Sequence, residues 1–236
     1  MSEMLHVKNV SKDFTLYNQG DFSEGETIIP VFKDINFSLK AGDCVALLGE
    51  SGSGKSTFMR MIYANYLCSS GAINVKHKDV WFDLVTASPH QILDIRCYSL
   101  GYVSQFLRVI PRVATLEIVA EPLVKAGEKK EAAIEKAKEL LTRLRIPERL
   151  WGLSPLTFSG GEQQRVNIAR GFVYDYPIML LDEPTASLDA QNRQTVLELI
   201  EEAKSRGAAI LGIFHDHEAR DTVCNGQLDV TNYRTE

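Results

Sequence analysis

The eight residues Gly49-Glu-Ser-Gly-Ser-Gly-Lys55-Ser56 constrain this chain more than any other segment. They follow the apolar run CVALL and precede Lys55 to Tyr66, a stretch of helical composition, so they read as strand, glycine-rich loop and helix start. A plain Gly/Ser turn needs neither flank. Glycines let backbone N–H groups come close to an anionic oxygen, and a helix N-terminus adds a favourable field. The pattern predicts a phosphate cradle from Gly49, Ser51, Gly52, Ser53, Gly54 and Thr57, with Lys55 on the β- and γ-phosphates of a nucleotide. Ser56 is then placed to hold Mg2+ through its hydroxyl.

The rest of the chain has the rhythm such a loop needs. LHVKNV, VFKDINFSL and DCVALLG read as strands, and the polar YNQGDFSEGETIIP between the first two reads as a surface hairpin loop. AINVK and VWFDLV form a further strand pair. From about 113 to 176 the character is helical. In Lys129 to Arg145 the apolar Ala133, Ala137, Leu140, Leu141 and Leu144 give one buried face, and Pro147 ends that helix. PIMLLD, Ala190 to Ser205 and AAILGIF return to strand, helix, strand. Strands separated by helices imply a parallel sheet. The expectation is a single α/β domain over 1–236: a nucleotide-binding core at about 1–104 and 177–236, and a helical subdomain at about 106–176. An antiparallel β subdomain stands at the N-terminal side of the core.

With 236 residues and 44% hydrophobic content the chain can bury a sizeable core. A net charge of −5 with no basic block argues against a nucleic-acid partner. Cys44, Cys68, Cys97 and Cys224 form no C-x-x-C pair and read as reduced thiols, small and buried. The opening MSEMLHVKNV has no basic stretch followed by an apolar run, and Ala208 to Phe214 is far too short to cross a bilayer. A cytoplasmic protein without direct membrane insertion is expected.

Two more segments carry chemistry. Asp182 and Glu183 follow the apolar strand IMLL. There one carboxylate can hold Mg2+ through water while its neighbour polarises the attacking water. Ser159-Gly160-Gly161 opens the helix EQQRVNIARGFV and makes a second anion site, with a hydroxyl and free N–H groups facing outward. Two phosphate-binding helix starts in one chain make sense if the second serves an ATP held by a neighbouring copy across a two-fold axis.

GESGSGKST, Gln105, FSGGEQQR, IMLLDEP, SLD and His215 occur in that order, and together they resemble the ABC ATPase domain over nearly the whole chain. The resemblance implies an ATPase using ATP and Mg2+, paired with a second ABC subunit as a homodimer or with another ABC protein. It implies that Gln105 senses Mg2+ and water, that Asp189 contacts the partner and that His215 meets the γ-phosphate. Phe14 in VSKDF matches the aromatic that stacks on adenine, with Tyr17 as the alternative. His215-Asp216-His217 reads poorly as a metal cluster, because Ala219 stands where a further acid is needed. His217 reads as a solvated helix-start residue, and His6, His77 and His90 as surface or strand residues. Between the motifs, MIYANYL, VSQFLRVIPRV, LLTRLRIPERLW and GAAILGIFHD resemble the ABC proteins of the phosphonate carbon–phosphorus lyase system. That resemblance implies lyase-pathway subunits as partners, at the step that makes a ribose 1-phosphonate 5-triphosphate. A transporter ATPase subunit and a nucleotide-gated assembly clamp are the alternatives.

Overall fold

The computed structural model describes residues 2–17, 26–109 and 111–234. Two long strands come first, β1 (Glu3–Tyr17) and β2 (Glu26–Lys40), followed by β3 (Cys44–Leu48) and α1 (Lys55–Ile62). The strands β4 (Ser70–His77) and β5 (Val80–Asp83) lead to α2 (Pro89–Tyr98) and β6 (Leu100–Val103). Four helices then run without an intervening strand: α3 (Thr115–Lys125), α4 (Lys130–Arg143), α5 (Glu148–Trp151) and α6 (Gly160–Phe172). The chain closes with β7 (Ile178–Asp182), α7 (Ala190–Ser205), β8 (Ala209–Ile213), α8 (His217–Val223) and β9 (Gly226–Asp229).

The strands form an antiparallel sheet of order β2-β1-β4-β5 and a parallel one of order β6-β7-β8-β3-β9. Side chains alternate across a strand, and here both faces of the parallel sheet are covered. Met179 and Leu181 of β7 enter one apolar cluster with α3, α4, α6 and α7. Ile178 and Leu180 enter the other, with α1 and the antiparallel sheet. The fold is the mixed α/β architecture expected, with a second sheet of antiparallel strands.

Several local boundaries differ from the sequence reading. The first two strands run to Tyr17 and from Glu26, well into the segment read as a loop, and the tip at 18–25 lies outside the described residues. Helix α1 stops at Ile62 because Ala64 takes a left-handed φ of 56°. Likewise α4 ends at Arg143, with Arg145 left-handed, and Pro147 caps the next short helix instead of ending this one. Helix α2 was not anticipated, although Ser88-Pro89 with Gln91 is a capping box with proline at the first turn. Cys44 and Cys224, 180 positions apart, bring their sulfurs to 3.4 Å.

His77 falls on a strand, one of the two places read for it. It is buried at the end of β4, with Nδ1 2.7 Å from Ser99 Oγ and Nε2 2.8 Å from Asp94 Oδ2. The ring joins β4 to the middle of α2 and to its C-terminal cap. His77→Leu should therefore lower unfolding stability by about 1–3 kcal/mol, because buried Ser99 loses its partner. Urea denaturation checks this, and unchanged stability would show the bonds to be replaceable by water.

Candidate active site

The topology gathers the motifs before any side chain is considered. Parallel strands present their carboxyl ends on one edge, where ligands of open α/β sheets bind. The glycine-rich loop leaves β3 there, Asp182 and Glu183 leave β7, His215 follows β8, and Gln105 follows β6.

At the loop, Gly54 caps α1 with φ 96° and gives it no side-chain cap, so the first helical N–H groups are left for an anion. Gly49 has φ 138°, and a Cβ there would meet Ser53 Oγ at 2.5 Å. Ser51 and Gly52 are exposed, whereas Ser53 is buried, its hydroxyl without a partner among the described residues and its N–H turned to Glu50 O at 3.2 Å. Ser56 and Thr57 are half-buried in the first turn of α1. Lys55 folds over the loop, donating from Nζ to Gly49 O at 2.7 Å and Glu50 O at 2.8 Å. These are contacts to neutral carbonyls, which a phosphate oxygen would replace with an ion pair as well as a hydrogen bond.

Asp182 is 2% exposed. Its Oδ1 has no partner among the described residues, and Oδ2 accepts only from the Tyr102 hydroxyl, at 3.1 Å. Burial pushes this carboxyl above the usual range; the Tyr102 bond opposes that shift and the neighbouring Glu183 adds to it. A buried, half-satisfied carboxylate fits a hard divalent cation, whose charge removes the desolvation cost. With the Ser56 hydroxyl it offers the all-oxygen donor set that Mg2+ requires.

Glu183 is held differently. Its φ is 55°, left-handed for a non-glycine residue, and such strain persists only where surroundings fix it. Its N–H donates to Ile213 O at 3.0 Å. The buried amide of Gln164 donates to Glu183 O at 3.3 Å and Pro184 O at 3.4 Å. The carboxylate thus turns away from Asp182 and meets His215, with Oε1 2.7 Å from Nε2. Asp216, beside His215, caps α8 and is ion-paired to Arg193 of α7, so it is already engaged within the fold.

Gln105 is exposed and lines a cavity of about 650 Å³ with Asp182, Tyr102 and Arg60. Asn167 of α6 donates to Ser104 O next to it. Neither Gln164 nor Asn167 was singled out from sequence. Their signal is the helical spacing of buried positions 164, 167, 168 and 171, which puts two polar residues on the inward face of α6.

Ser159 is exposed at the start of α6, and its hydroxyl also has a partner within the chain: it donates to Glu162 Oε2 at 2.7 Å, and the two residues form a capping box. Gly160 and Gly161 are accessible, with open space around Gly160. Asp189 likewise caps α7, accepting from Asn192 N at 2.7 Å and Nδ2 at 2.8 Å. Phe14 is half-buried on β1, edge-on to Tyr66 with centroids 5.8 Å apart and under Lys12 Nζ at 4.6 Å. Tyr17, the alternative, ends β1 opposite Glu26.

Gln164→Leu should keep nucleotide binding, because the glycine-rich loop is untouched. Hydrolysis should fall about ten- to a hundredfold, since releasing the Glu183 turn misplaces its carboxylate. Single-turnover hydrolysis beside a fluorescent-nucleotide titration checks both halves; wild-type hydrolysis would show the turn to be self-supporting.

Residues 32–186 match the family model described as ABC transporter. The macrolide export ATP-binding/permease protein MacB of Aggregatibacter actinomycetemcomitans is 35% identical over 83% of this chain, which spans only 30% of that protein's length. The lipoprotein-releasing system ATP-binding protein LolD of Idiomarina loihiensis is 35% identical over 90% of this chain and 88% of its own. Among solved structures, the dimeric ABC transporter cassette MJ0796 superposes with a TM-score of 0.82 at 28% identity, over 96% of this chain and 95% of its own. The same cassette is known as a dimer in a post-hydrolysis state bound to ADP and Pi, with a TM-score of 0.80. No helix among the described residues is long and apolar enough to cross a membrane. Matched by the family model over residues 32–186 and in fold by a solved cassette, the chain belongs to the ABC transporter family, as a Mg-ATP-using ATPase domain.

Proposed function

We propose that this chain hydrolyses Mg-ATP at a site completed by a second ABC subunit, and that it powers a membrane transporter of the lipoprotein-release or macrolide-export type. The observation that carries the hydrolytic part is the Glu183–His215 contact of 2.7 Å, poised at the sheet edge beside the phosphate loop. Lys55 takes the β- and γ-phosphates, Ser56 and Asp182 hold Mg2+, and Gln105 reports on the cation and water. Glu183 accepts the proton of the attacking water and His215 meets the γ-phosphate. Ser159, Gly160, Gly161 and Asp189 face the ATP of the partner, and Phe14 stacks on adenine. The Ser159 hydroxyl then exchanges its bond to Glu162 for one across the interface.

The transporter part is supported by the LolD and MacB relatives. A second feature agrees with it: Arg108, Val109, Val113, Ile118 and Arg170 line a groove of about 460 Å³ next to Gln105, where Phe106 is 71% exposed. A partner element seated there would feel any movement of the Gln105 loop. In this reading the chain sits on the cytoplasmic face of a membrane.

A second reading rests on the text between the motifs. MIYANYL, VSQFLRVIPRV and LLTRLRIPERLW resemble PhnL, which implies carbon–phosphorus lyase subunits as partners and a role in making the ribose 1-methylphosphonate 5-triphosphate. Here the same groove receives a lyase-pathway protein instead of a permease.

Glu183→Gln should bind ATP but not split it, because an amide fills the same space and cannot accept a proton. Size exclusion in Mg-ATP should then show a dimer, and a monomer at saturating ATP would argue against a shared site. The same variant separates the partners. Tagged and recovered from cells with ATP present, it should bring down an integral permease. Recovery of carbon–phosphorus lyase subunits, with growth on methylphosphonate lost in a deletion strain, would establish the second reading in its place.

A further inference from the structure

Asp182 depends on a neighbour outside every motif. Tyr102 stands on β6 opposite Leu180 of β7, two residues before Asp182, and its hydroxyl is the one described partner of the carboxylate. The ring is fixed by Tyr63, whose centroid is 4.9 Å away at 43°. Arg60, in the last turn of α1, donates to the Tyr66 hydroxyl at 3.2 Å and lies beside that of Tyr102. Arg60, Tyr102, Asp182 and Gln105 line one cavity.

A guanidinium has donors only, and a phenol has one proton. An ionised carboxylate only accepts, so the Tyr102 hydroxyl directs that proton to Asp182 Oδ2, with the Arg60 guanidinium lining the same cavity. The bond fixes the carboxylate about its last torsion, which is otherwise broad, and leaves Oδ1 as the unpaired oxygen.

We propose that Tyr102, oriented by Arg60, is a positioning residue for the divalent cation: it ties Oδ2 of Asp182 and reserves Oδ1 for the metal. The proposal rests on the reading of Asp182 as the metal carboxylate. Outer partners of metal ligands typically set about ten- to a hundredfold in metal affinity, and Tyr102→Phe removes that partner while keeping the ring.

The test is Mn2+ binding to the ADP complex, followed by electron paramagnetic resonance in wild type, Tyr102→Phe, Arg60→Gln and Asp182→Asn. ADP affinity without divalent metal and the melting temperature serve as folding controls. Tyr102→Phe should weaken Mn2+ by about ten- to a hundredfold with metal-free ADP affinity unchanged. Arg60→Gln should weaken it less and in the same direction, and it carries the test if the tyrosine variant misfolds. Unchanged Mn2+ affinity in the folded tyrosine variant, with a loss in Asp182→Asn, would overturn the role of Tyr102 alone. No loss in Asp182→Asn would overturn the metal reading of Asp182 and this proposal with it.

Discussion

The site depends on burial of the parallel sheet on both faces. Because β3, β7 and β8 carry apolar side chains to either side, a slip by one residue would exchange side chains between the two clusters and break the close packing of both. That constraint fixes the register Asp182 opposite Ile213, and so places the ends of neighbouring strands level with one another. The loops that follow inherit this alignment. Four segments distant in sequence reach one edge because the core allows no other register.

On that edge, two adjacent carboxylates come to differ by backbone conformation alone. Asp182 still belongs to β7 and points into protein, where burial raises its proton affinity. One residue later the chain turns left-handed, and Glu183 swings its carboxylate to His215. The turn is held by Gln164 from α6, so the helix that starts at Ser159 also braces Glu183. The start of that helix is thereby tied mechanically to the carboxyl end of β7.

The helical region is joined to the core on more than one side. Val103 of β6 packs so closely on α6 that a Cβ at Gly171 would lie 2.3 Å from it. Arg170 pairs with Glu121 of α3 and reaches Arg108 O beyond Gln105. A displacement of α3 or of the Gln105 loop cannot leave α6 unaffected, which links that region physically to the Glu183 turn. Coupling of this kind needs only that the partner bind two arrangements with different affinity.

The sequence by itself determined the phosphate loop, the paired carboxylates, the Ser-Gly-Gly turn and the α/β class, because each is local chemistry written in contiguous residues. The glycines of the loop and the apolar run before Asp182 are legible without any knowledge of what lies opposite. The helix over Ala190–Ser205 was legible for the same reason, its period being internal to the segment. What pairs with what was decided only by the tertiary structure. Tyr102 with Asp182, Gln164 with Glu183, His77 with Ser99 and Cys44 with Cys224 join segments whose separation in sequence carries no trace of their contact. The capped hydroxyl of Ser159 and the early ends of α1 and α4 were likewise set by competition between local bonds and packing, which residue pattern does not weigh. Motifs record which groups are present, while register and burial decide which of their atoms are left free.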